Sequence, residues 1–240
     1  MRLDLVLLAA LLILALAWLY RRDQARSRGT RAAILDDCRA LFPDAAVTED
    51  GAGYPVLTGT YQGYRVRLEA LVDAVAVRKL PSLWIKATLL AEVPYPAVFD
   101  LLMRPLNTEF YSPAETLGYA LRTPPGWPEH AVIRTDDPEG LPPLALLAPH
   151  VELFRDPKAK ELLITPRGLR IVYQVDEAER SHYLVLRQAR FRTNRADPRR
   201  VAVLIGAMIA LQRGLAASTA ERPPAAHVAR VSARAVSAEG

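Results

Sequence analysis

With one cysteine, Cys38, the chain can form no internal disulfide. It therefore needs no oxidising compartment, which leans towards the cytoplasm. Lysine is scarce, found only at Lys79, Lys86, Lys158 and Lys160, so the formal net charge of +5 is an arginine charge. There is no Gly-x-Ser-x-Gly elbow, no Gly-x-Gly-x-x-Gly and no Gly-Lys-Ser/Thr loop. The usual nucleophile and phosphate-cradling signatures are thus missing. The four histidines, His130, His150, His182 and His227, have no histidine or cysteine two to four residues on. No single element then carries a metal-ligand pair, and no metal or cofactor is expected. Asp136, Asp137 and Glu139 lack the alternating ligands and distal glutamate of a calcium loop and are expected in a solvated turn. Aromatic and basic residues do not interleave as in RNA-binding modules, and nucleic acid is not an expected partner.

Charge is also absent from Leu5 to Tyr20, LVLLAALLILALAWLY. As a helix this run spans about 24 Å, a little short of the ~30 Å hydrocarbon core. Trp18 and Tyr20 suit a headgroup boundary, and Arg21 and Arg22 suit the water beyond it. Three readings compete: a retained signal anchor, a secretory peptide cleaved near Ala15-Leu16-Ala17, and a buried soluble helix. The arginines at 21, 22, 26, 28 and 31 follow the run with only Asp23 opposing them. The positive-inside rule then keeps the carboxy-terminal side in the cytoplasm. The expected layout is a transmembrane anchor over 1–21, a basic juxtamembrane linker over 22–31 facing anionic headgroups, a soluble domain over 32–216 and a disordered tail over 217–240.

The soluble part reads as two tandem pseudo-repeats, 32–104 and 142–216. Ala33–Asp44 and Ala145–Asp156 both have helical spacing and both end in Leu-Phe-x-Asp. Thr60–Val66 and Thr165–Ile171 carry hairpin signatures around Gly63 and Gly168. A strand is expected at Leu83–Val93 and another at His182–Arg192, and proline-opened helices at Pro96–Met103 and Pro198–Ile205. The order helix, hairpin, strand, helix, occurring twice, predicts an α+β fold: an N-terminal transmembrane helix, then an antiparallel sheet with helices on one face. Leu169–Tyr173 and Tyr183–Arg187 are apolar enough for central strands. Between the halves, Pro105–Pro143 is irregular apart from a short edge strand at Ala131–Arg134. Val201–Leu211 is too short for a second span and has one apolar face, so a core helix is expected.

Cys38 falls on an apolar helix face, as a small hydrophobe rather than a nucleophile. Lys158, Lys160, Arg167 and Arg170 are the candidate surface for an anionic ligand or acidic partner. Trp84 is expected in the core and Trp127 in an exposed contact; Tyr111 could also line a groove. The leading expectation is a membrane-anchored cytoplasmic binding or scaffolding module with a protein partner, not an enzyme. Its rivals are an exported ligand-binding domain and a hydrolase or transferase between the halves, for which His150 and His182 would be tested first.

Overall fold

The computed structural model describes residues 3–73, 80–103, 111–186 and 189–220. Helix α1 runs from Leu3 to Ala32 and is followed by a 3-10 helix, Ala33–Leu41. The stretch expected as a linker, 22–31, is therefore helical and continuous with the apolar run. Arg31, in the last turn, lies over the Tyr54 ring at 4.9 Å and donates to the Ala52 carbonyl at 3.4 Å. These contacts fix where α1 leaves the domain.

The domain is an antiparallel sheet of nine described strands. They are β1 (Ala46–Glu49), β2 (Pro55–Tyr61), β3 (Tyr64–Asp73), β4 (Ser82–Leu90), β5 (Phe99–Leu102), β6 (Tyr119–Leu121), β7 (Val132–Thr135), β8 (Ala159–Thr165) and β9 (Gly168–Glu177). Their spatial order is β1-β2-β3-β4-β9-β8-β5-β7-β6. Helix α2 (Leu144–Val151) continues into a short 3-10 turn, Glu152–Arg155; α3 covers Arg180–Leu186 and α4 Pro198–Ala220.

Period-2 alternation builds the sheet. On one side Val66, Leu68, Ile85, Ala87, Leu89, Leu169, Ile171, Leu162 and Phe99 meet Leu147, Phe154, Leu204, Ile205 and Met208 from the helices. The α+β class and the helix-covered face stand as expected. Among the described residues, the helix long and apolar enough for a membrane crossing is Pro198–Thr219, at the carboxy-terminal end rather than in the amino-terminal run. It packs on the sheet through Val201, Leu204, Ile205, Met208 and Leu215, all buried, and so serves as a core helix.

Both expected hairpins form. Gln62 and Gly63 take φ of 50° and 84° between paired Tyr61 and Tyr64, a two-residue turn whose twist suits the flanking strands. Gly168 has a different reason: a Cβ there would lie 2.1 Å from the Leu89 carbonyl oxygen. Gly168→Ala is expected to destabilise the fold by roughly 1–3 kcal/mol, because backbone must give way. A lowered urea midpoint would register it, and an unchanged midpoint would show that the strands can part cheaply.

Two expected elements have the other secondary structure. Pro96–Met103 is not a helix. Its Phe99–Leu102 is strand β5, sending Phe99 and Leu101 to the main core and Asp100 and Leu102 to the opposite face. A four-residue segment lacks the length to distinguish the two periods. Over its described residues, His182–Arg192 is not a strand. β9 is already flanked by β4 and β8, leaving no sheet edge beside it, and Arg180–Leu186 instead turns as α3 with Leu184 exposed. The helix-hairpin order thus occurs in both halves, but the strand and helix expected to complete each repeat do not match. Val132–Thr135 is a strand, although β6 makes it internal. α4 continues through Ala217–Ala220, and the rest of the expected tail lies outside the described residues.

Candidate functional site

The face of the sheet without helices carries an array of charge set by strand register. Arg67 and Glu69 on β3, Lys86 on β4, Arg170 on β9, Glu161 on β8, Asp100 on β5 and Arg134 on β7 all point to this side. Glu69 pairs with Arg67 at 3.1 Å and with Lys86 at 2.9 Å. Arg170 grips Glu161 twice, Nε to Oε2 at 2.9 Å and Nη2 to Oε1 at 3.0 Å. Glu161 and Asp100 are both 0% exposed.

Their cover is the segment after Tyr111. The Ser112 hydroxyl donates to Asp100 Oδ2 at 2.7 Å and accepts the Ala114 N–H at 3.1 Å. The Tyr111 carbonyl accepts from Arg170 at 2.9 Å, and the Leu117 carbonyl accepts from Arg134 at 3.3 Å. Beneath the cover Trp84 and Tyr111 stand 5.8 Å apart, with Leu102, Ala114 and Val172 closing a small second core. Neither aromatic lines an open groove.

Asp100 Oδ1 is buried with no hydrogen-bond partner among the described residues. Burial, and then the neighbouring Glu161 charge, push the Asp100 carboxyl up to about 7. Burial also raises Glu161, opposed by the charge and hydrogen bonds of Arg170. One closely held guanidinium thus serves two sequestered carboxyls, and the arrangement retains a proton towards neutral pH.

The candidate anionic surface is divided by the fold. Arg170 belongs to the buried pair just described. Arg167 lies at a broad, shallow groove of about 830 Å³ with Leu90, Glu92, Val93, Ala216 and Thr219. Lys160 donates to the Pro157 carbonyl. Lys158 lines a separate cavity of about 280 Å³, shared with Tyr173, Arg195 and Arg200. The sequence reading missed Arg195 and Arg200 because they enter this cavity from a loop and from the first turn of α4, far along the chain from Lys158.

Cys38 is buried, and burial followed by the Asp37 and Asp197 charges pushes its thiol up to about 12, far from a reactive thiolate. His150 is half-buried on α2, its imidazole pushed down by burial, and it lines neither the groove nor the cavity. His182 is placed on α3, and its side chain lies outside the described residues. Trp127 is half-buried against the main core rather than freely exposed. Asp136 accepts the Val98 N–H at 2.7 Å and Asp137 Oδ1 the Glu139 N–H at 3.0 Å, making their segment a structured turn. Among the described residues no cluster of three or more metal-ligating side chains occurs. Trp18, Tyr20, Arg21 and Arg22 are all exposed on α1, with the Arg22 guanidinium 5.1 Å from the Trp18 ring centroid.

No protein-family model matches the chain, and no curated protein matches it. Among solved structures it is similar to the mycobacterial trehalose monomycolate transport factor A, TtfA, with a TM-score of 0.38 and 12% identity. That alignment covers 71% of this chain and 83% of the other. A likeness at this level implies nothing about what this chain binds.

Proposed function

We propose that the chain is a single-span membrane protein whose α+β domain lies in the cytoplasm and acts as a binding or scaffolding module. The observation that carries the proposal is the uncovered apolar surface of α1. Leu11, Leu12, Ile13, Leu14, Leu16, Trp18, Leu19 and Tyr20 are each more than half exposed, while the sheet domain has its own closed core. At about 1.5 kcal/mol or more per large apolar side chain, transfer of these residues into hydrocarbon is worth on the order of 10 kcal/mol. Arg21 and Arg22 then sit at the boundary, and the basic continuation of α1 meets anionic headgroups on the cytoplasmic side. The groove and the separate cavity supply places for partners.

The anchor is tested by fractionating cells that express the full chain. Wild type is expected in the membrane pellet after alkaline carbonate washing. Leu12→Arg with Leu16→Arg, at roughly 2.5–3.5 kcal/mol per charge near a span centre, is expected to move most of it to the soluble fraction. Retention of the double variant in the pellet would remove α1 as the anchor. A reporter fused after Glu239 tests orientation: cytoplasmic fluorescence is expected, whereas alkaline phosphatase activity would place the domain outside.

A further inference from the structure

The 280 Å³ cavity lies where the first turns of α4 cross the helix-covered face of β4 and β9. Its floor is apolar and deep, formed by Ile85, Val201 and Leu204, each at most 2% exposed. Its rim is cationic: Lys158 comes from just before β8, Arg195 from the loop before α4, and Arg200 from α4 itself. An apolar base below converging charges is the usual build of a small-molecule site.

The walls are held by the rest of the fold. In the loop before α4, the Thr193 N–H donates to Asp176 at 2.8 Å, the Ala196 N–H donates to the Ile34 carbonyl at 2.8 Å, and Arg195 pairs with Asp37 at 2.6 Å. On the opposite wall, the Tyr173 hydroxyl donates to Asp156 at 2.9 Å. Burial and that bond push the phenol up to about 12, so it remains protonated. Asp197 is occupied by the Arg199 N–H, at 2.9 Å.

Arg200 and Lys158 are held less firmly than the walls. Arg200 is 44% exposed and its Asp156 contact is 3.7 Å; Lys158 reaches the Val175 carbonyl at 3.4 Å. Arg195 is already neutralised by Asp37, so the charge a ligand can draw on is that of Lys158 and of Arg200 once it turns from its 3.7 Å contact with Asp156, set against Asp197 in the lining. At about 30 Å³ per water the volume holds on the order of nine waters, enough for the body of a small ligand.

We propose that this cavity binds a compact carboxylate with a short apolar or aromatic body, its oxygens on Arg200 and Lys158 and its body on Ile85, Val201 and Leu204. The guanidinium fork of Arg200 matches a carboxylate, and its place 5.5 Å from the Tyr173 ring centroid keeps it over the opening. Arg195, paired with Asp37, serves as a wall of the site. The site does not depend on the anchor, and the two fail separately.

Calorimetric titration of the full chain in non-ionic detergent tests it with three probes. Benzoate has both charge and body, benzyl alcohol only the body, and inorganic phosphate only the charge. Saturable benzoate binding is expected, with each of the other probes at least tenfold weaker. Arg200→Gln is expected to weaken benzoate at least tenfold and Lys158→Gln several-fold, whereas Arg167→Gln, in the distant groove, leaves it unchanged. Lys158→Gln changes an exposed side chain and keeps the test intact if Arg200→Gln does not fold. Absence of saturable benzoate binding overturns the proposal. So does phosphate or benzyl alcohol binding as well as benzoate, or benzoate affinity untouched in a folded rim variant.

Discussion

Glu161→Ala is expected to destabilise the protein by roughly 3–5 kcal/mol, the cost of leaving a buried charge without its partner. Glu161 is 0% exposed, and Arg170, 18% exposed, spends two of its hydrogen bonds on it. Without Glu161 the guanidinium keeps the Tyr111 carbonyl but loses its close counter-charge. The second carboxyl, Asp100, is bonded to Ser112 instead. The measurement is the urea midpoint of the full chain in non-ionic detergent. A double variant sharpens it: Glu161→Leu with Arg170→Leu is expected to recover most of the loss, because a buried pair replaced together by apolar residues is often nearly neutral. A single-variant loss below about 1 kcal/mol would instead put the pair in the range of exposed surface bridges.

This pair also shows where the sequence is readable and where it is not. Alternation in Tyr64–Ala70 identifies a half-buried strand, and the glycine in Gln62-Gly63 identifies its turn, because both signals are local. Val201, Leu204, Met208, Leu211 and Leu215 likewise identify a packed helix face, and all five are buried. The strands β5 and β8 are neighbours only through topology, separated in sequence by β6, β7 and α2. Glu161 and Arg170 therefore resemble the wet side of a hairpin until a covering segment is brought over them. Asp100 falls within an apolar run that fits either period. A lone acid between Phe99 and Leu101 is the one local sign of a buried titratable group. The cavity is less legible still: Lys158 is separated from Arg195 and Arg200 by the whole β8–β9 hairpin and α3, and only the packing of α4 across β9 joins them.

Between about pH 4 and 7 the wild-type protein is expected to lose stability through Asp100 as pH rises, and Asp100→Asn should abolish much of that slope. The carboxyl has an ordinary value of 3.8 and is pushed to about 7 in the fold. The folded state therefore holds a proton that the unfolded chain has released over this interval. Its contribution is fully present below 3.8 and is lost as pH climbs towards 7. A displacement of about 3 units corresponds to on the order of 4 kcal/mol, shared with Glu161 because the two acids titrate together. Asparagine keeps an oxygen for the Ser112 hydroxyl while removing the charge that the site disfavours. The variant should thus match wild type near pH 4 and exceed it at pH 8 by a few kcal/mol, read as urea midpoints across that range. His150 contributes in the opposite sense, since burial lowers its pKa and stability is lost as pH falls below 6.5. That term is common to both proteins and cancels in their difference. Parallel stability profiles for the two proteins would mean that Asp100 is already ionised in the fold, with Arg170 and Arg134 outweighing its burial.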